Sequence, residues 1–182
     1  EGLWLIKNII IICSLFLLSC SGAKKQMINL PHSTYSWQIQ VNDEPPDVER
    51  VSQAIILFYR QWQKTFGDRK GKVKKNLYEL MIEWSSEEKI FEGVGRDNKG
   101  KVVKRGVVNG MTVGPTYVWL RTNPYKRVFA SSLIHELVHV ALWADGCRGG
   151  DPDHEGEMYT CWTPKHTNFI RHLNKLLVRF DI

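Results

Sequence analysis

Residues 132–146 read Ser132-Leu133-Ile134-His135-Glu136-Leu137-Val138-His139-Val140-Ala141-Leu142-Trp143-Ala144-Asp145-Gly146. The apolar set Val128, Phe129, Leu133, Ile134, Leu137, Val140 and Ala141 recurs at three- and four-residue steps and continues to about Trp143, which predicts a helix. Upstream, Asn123-Pro124 offers an N-cap with proline at the first helical position. Downstream, Asp145-Gly146 supplies a glycine able to close the last turn.

Inside this helix His135-Glu136-Leu137-Val138-His139 has the pattern H-E-x-x-H. Residues four apart share one helix face, with Cβ atoms about 5–6 Å apart. Two imidazoles so placed reach one Zn2+ at about 2.0–2.1 Å each. Glu136 is spaced to hold a metal-bound water and take its proton, and zinc brings the pKa of that water towards about 7. The competing reading is two surface histidines flanking a surface glutamate. A catalytic zinc takes three protein ligands and leaves one position open. The run Asp151-Pro152-Asp153-His154-Glu155-Gly156-Glu157 supplies the third. His154 is the expected ligand, because one loop after the helix lets the chain turn back over the metal; Glu157 and Asp153 are the alternatives. Asp151 or Asp153 could instead orient a ligand imidazole from behind. Tyr159 is a candidate donor to a developing oxyanion, against the plainer reading of a packed tyrosine. His166 and His172 carry no ligand spacing.

Working outward, Val51, Ala54, Ile55, Phe58, Tyr59 and Trp62 repeat at helical spacing after Pro45-Pro46, so a helix is expected from Asp43 or Glu44 as cap to about Gly67. Lys64 to Lys75 is basic and broken by Gly67 and Gly71; it reads as a solvated loop, or as a contact for anionic lipid or polymer. Leu77–Trp84, Lys101–Val108 and Thr116–Thr122 are strand candidates, and glycines 93, 95, 100, 110 and 114 read as turns between them. Thr163-Pro164 repeats the cap-plus-proline signal before Phe169, Ile170, Leu173, Leu176, Leu177 and Phe180, a final amphipathic helix. The order predicts an α+β domain: an N-terminal helix, a mixed sheet of three or more strands, the helix bearing the histidines, and a C-terminal helix. The 182 residues, 43% hydrophobic, are enough for one ordinary core. The net charge of +6 fits an anionic partner, and equally none.

Ile9 to Leu18 is apolar apart from Ser14, too short to span a bilayer and of the length of a signal-peptide core. It ends in Leu17-Leu18-Ser19-Cys20 and here resembles a bacterial lipoprotein signal. That resemblance implies cleavage before Cys20 and a diacylglycerol on its sulfur; a plain signal peptide is the alternative. Residues 1–19 are then the signal, 20–44 a polar tether, and 45–182 the folded domain in the bacterial cell envelope. With Cys13 lost and Cys20 acylated, Cys147 and Cys161 remain as an even pair, expected to form a disulfide outside the cytosol.

His135 to His139, with a downstream histidine after a glycine-rich loop, resembles the zincin metallopeptidases, and among them the compact His-His-His and SprT-like ones. The likeness covers about residues 117–160. It departs from the metzincin pattern, since Leu142 and Asp145 stand where a glycine and a third histidine belong. It implies a zincin-like fold, zinc, and hydrolysis of a peptide or protein substrate. It also implies an edge strand before the active helix, a place taken here by Thr116–Thr122, where an extended substrate adds. Two other functions compete: a zinc-containing lipoprotein that only binds, against which the intact Glu136 argues, and a SprT-like DNA-associated protease. The lipid signal argues against the latter and against a nucleic-acid partner.

Overall fold

A computed structural model describes residues 26–29, 38–41, 47–96, 102–121, 132–147 and 161–179. They form an α+β fold with a small mixed sheet. The strands are β1 (Gln26–Asn29), β2 (Gln38–Val41), β3 (Met81–Ser85), β4 (Lys89–Arg96), β5 (Val102–Val108), β6 (Gly110–Gly114) and β7 (Tyr117–Arg121). The helices are α1 (Val48–Thr65), α2 (Lys72–Tyr78), α3 (Ser132–Ala144) and α4 (Pro164–Arg179), with a short 3-10 turn at Arg69–Gly71. Five strands make one sheet in the order β1-β2-β3-β7-β6, and β4 and β5 pair as a separate antiparallel ribbon. Within the sheet β2, β3 and β7 run parallel, while β1 and β6 run antiparallel to their neighbours.

Helix α1 begins at Asp47, whose side chain accepts from the Arg50 N–H at 3.1 Å. The cap therefore lies after the two prolines, not at Asp43 or Glu44. The helix ends before Gly67, whose φ of 82° suits a residue without a Cβ. It buries Val51, Ala54, Ile55, Phe58 and Trp62.

Part of the basic stretch read as a loop is helical. Asp68 accepts from the N–H groups of Val73 and Lys74 at 3.0 Å each, and from the Tyr59 hydroxyl at 3.1 Å. One carboxylate thus satisfies two N–H groups of the first turn of α2. Val73 and Leu77, four residues apart, bury the inner face of α2. Leu77 and Tyr78 consequently belong to this helix, and the strand expected over Leu77–Trp84 starts only at Met81.

Three further expectations are corrected. The tether expected over 20–44 contributes β1 and β2, both paired into the sheet. Gly93 and Gly95 lie inside β4, at a register shift between Glu92 and Gly95, and Gly110 and Gly114 bound a strand of their own. Strand β7 is not an edge: it pairs with β3 on one side and β6 on the other, and among the described residues β6 closes the sheet.

Helix α3 is the centre of the domain and touches β6, β7 and all three other helices. Its apolar residues are buried nearly all round, as expected of a helix covered on most sides. Ile82 and Trp84 of β3 and Val118 and Leu120 of β7 meet it from the sheet; Phe169, Leu173 and Leu177 of α4 join the same core. Trp119, fully buried, lies outside that core, because alternation along β7 turns it to the opposite sheet face. There Lys89 Nζ stands 4.5 Å from its ring centroid, and the Tyr117 hydroxyl donates to Glu83. No helix among the described residues is long and apolar enough to cross a membrane.

Candidate metal and catalytic site

The part of α3 that is not sealed into the core is a stripe of Ser132, His135, His139 and Trp143, all partly exposed. The steps of three and four residues that bury Leu133, Ile134, Leu137 and Val140 leave this stripe at the border of the core. Two imidazoles on one tetrahedral Zn2+ at about 2.0–2.1 Å place their ring centroids about 5 Å apart. Those of His135 and His139 are 5.2 Å apart, with ring planes inclined by 60°. The spacing is that of two ligands of one ion.

Glu136 is not a surface residue. It is only 5% exposed and is held by β6. The Thr112 hydroxyl donates to Glu136 Oε2 at 2.8 Å and lies 3.1 Å from the Glu136 main-chain oxygen. Gly110 packs on the same carboxylate so closely that a Cβ there would lie 2.6 Å from Oε1 and 2.8 Å from Cγ. Burial pushes the Glu136 carboxyl up to about 7, against the hydrogen bonds from Thr112, which favour the ionised form. A carboxyl group with such a value can exchange a proton near neutral pH.

A second wall comes from the start of α4. Trp162, 4% exposed, lays its ring against both histidines, with centroids 5.1 Å from His135 and 4.9 Å from His139. Its Nε1–H donates to the Thr167 hydroxyl at 3.1 Å, which ties the ring to the first turns of α4. Just before it, Cys161 is joined by a disulfide to Cys147, at the end of α3, with Cα atoms 6.1 Å apart. Gly146, at φ 91°, lets the chain turn out of α3, and the Cys147 N–H closes back on Leu142 O at 3.1 Å. Cys147 and Cys161, which flank residues 148–160 in the sequence, are thereby joined.

His154, Glu157, Asp153, Asp151 and Tyr159 lie outside the described residues, as do Cys20 and Asn123-Pro124. Among the described residues, no group of three or more His, Cys, Asp or Glu is placed to hold a metal. His135, His139 and Glu136 are thus brought together, while His154, Glu157 and Asp153 belong to the sequence between Cys147 and Cys161. His166 plays a different part. It stacks on Phe66 at 4.6 Å and 8°, and its Nδ1 accepts from the Thr163 N–H at 3.0 Å.

Thr112, Gly110 and Trp162 were not legible as site residues. The alternation across Gly110-Met111-Thr112-Val113-Gly114 was the available signal for a strand, but its bounding glycines read as turns. Compared with protein-family models, curated proteins and solved structures, the chain matches none.

Proposed function

We propose that this chain is an exported, lipid-anchored zinc peptidase with a zincin-like fold. The observation that carries the reading is the buried Glu136 carboxylate, fixed by β6 next to a pair of imidazoles spaced for one ion. Burying a carboxylate costs stability, and groups perturbed in this way cluster at functional sites. Zinc held by His135, His139 and a third donor, with His154 the first choice and Glu157 or Asp153 the alternatives, would supply Lewis acidity and lower the pKa of a nucleophilic water.

The protein's own groups do the rest. Glu136 takes the proton of the attacking water and returns it to the leaving amine. Trp162 covers one side of the imidazoles. Edge strand β6, whose other neighbour is β7, offers backbone N–H and C=O groups to an extended substrate, so the peptide pairs next to the base. The lipid anchor rests on Leu17-Leu18-Ser19-Cys20, and it puts the substrate in the cell envelope.

The test is zinc content and peptide hydrolysis of residues 21–182, in wild type, His154→Ala and Glu136→Gln. The expected result is about one zinc per chain in wild type, sharply weaker binding in His154→Ala, and zinc without turnover in Glu136→Gln. Zinc retained in His154→Ala moves the third donor to Glu157 or Asp153. Zinc bound with no hydrolysis of a broad peptide library by wild type makes the chain a binding module. No zinc in wild type after metal is added back ends the reading.

A further inference from the structure

The geometry points to Thr112 and Gly110 as a positioning device for Glu136, built into the same edge strand that would receive substrate. It rests on the peptidase reading above and adds to it the residues that aim the base.

A glutamate side chain has three rotatable bonds, and on a helix facing a partly open stripe it would sample several rotamers. Proton transfer needs one of them, since a displacement of about 1 Å can cost on the order of a hundredfold in rate. Two contacts from β6 remove that freedom. The Thr112 hydroxyl holds Oε2 at 2.8 Å and, by lying 3.1 Å from the main-chain oxygen of the same residue, refers the carboxylate to its own backbone. Gly110 bounds the other oxygen: any side chain there would enter the space of Oε1, Cγ and Cδ, at 2.6, 2.8 and 3.0 Å from a Cβ. The two residues are separated by one position in an extended strand, so both face α3 while Met111 and Val113 face away. The exposures agree, with Met111 at 36% and Val113 at 56%. The register fixes them further, because Gly110 pairs with Leu120 and Thr112 with Val118, two residues sealed in the core. Threonine supplies a hydroxyl on a β-branched, χ1-restricted side chain, which holds the donor in place without help from a longer lever.

The test compares Thr112→Val, which keeps the shape and removes the hydroxyl, with Thr112→Ser, which keeps the hydroxyl. Two readouts are taken on folded, zinc-loaded protein. The first needs no activity: the NMR cross-peak between the Glu136 γ-protons and the Gly110 α-protons, which reports the carboxylate's rotamer. The second is kcat and KM on a quenched-fluorescent peptide that wild type cleaves. The expected result for Thr112→Val is loss or averaging of the cross-peak and a fall in kcat of about ten- to a hundredfold, the scale of one hydrogen bond to a charged group. KM and zinc content stay as in wild type, and Thr112→Ser restores both readouts. An unchanged cross-peak with wild-type kcat in Thr112→Val overturns the assignment, as does an equal loss in Thr112→Ser. Should wild type cleave no peptide while Thr112→Val still loses the cross-peak and Thr112→Ser keeps it, the positioning role stands and the peptidase reading alone falls.

Discussion

At the scale of single residues, Glu136 bears a clear conflict between burial and charge. It is a carboxylate packed where its charged form is disfavoured, with a pKa pushed up to about 7 from 4.5. The fold therefore prefers the protonated acid, and stability present near pH 4.5 is lost as pH rises through about 7. In the metal-stripped protein Glu136→Gln removes this dependence. It is expected to match wild type near pH 4.5 and to exceed it above pH 8 by up to about 3 kcal/mol, the equivalent of the shift, as read from denaturant midpoints. His166 works in the opposite direction. Burial, chiefly, and then the neighbouring Lys165 charge lower its pKa, against the Thr163 backbone and Asp145, which raise it. Its neutral ring is favoured in the fold, so stability is complete above pH 6.5 and falls as pH drops below that value. His166→Asn, whose carbonyl can accept from the Thr163 N–H, should flatten the acid limb of a pH–stability curve relative to wild type. Neither shift was legible in the sequence, since H-E-x-x-H fixes residue types and spacing but not depth of burial.

At the scale of elements, β6 and the disulfide decide the site. The helix bearing the histidines was predicted because its period is strong and Asp145-Gly146 ends it. Strand β6 was missed because it is five residues long and bounded by two glycines, and short strands are defined by their neighbours rather than by composition. Gly110→Ala is expected to keep the fold but force Glu136 aside, lowering stability by about 1–3 kcal/mol, as overpacking does, and abolishing turnover with zinc still bound. Val113→Lys, at an exposed position on the same strand, should change stability by less than about 0.5 kcal/mol. The Cys147–Cys161 bond closes a sequence separation of 14. Reducing it, or replacing both cysteines by serine, is expected to remove about 3 kcal/mol by loop entropy. If the third zinc donor lies in segment 148–160, zinc affinity measured by competition with a chelator falls with it.

At the scale of the whole molecule, β1 and β2 change where the domain begins. A chain starting at residue 45 would leave β3 as an edge, with the backbone groups that pair with β2 unpaired. That truncation is expected to unfold at lower temperature and to aggregate on concentration, whereas residues 21–182 stay monodisperse in light scattering. Zinc at about a hundred times its Kd should add about 2.7 kcal/mol to stability, seen as a rise in Tm reversed by chelator. By itself the sequence determined the α+β order, a helix that carries the histidines and ends at Asp145-Gly146, the amphipathic first and last helices, and the His-Glu-His spacing. All of these follow from local periodicity and from residues within a few turns of one another. Only the tertiary structure decided which strand is the edge, that α2 forms where a basic loop was expected, that Trp162 lies on the histidines, and that Thr112 and Gly110 clasp Glu136. The edge, the Trp162 contact and the clasp on Glu136 depend on the meeting of segments far apart in the chain, 24 residues in the case of Thr112 and Glu136, and α2 on the burial of Val73 and Leu77; burial is a property of such a meeting rather than of either segment alone.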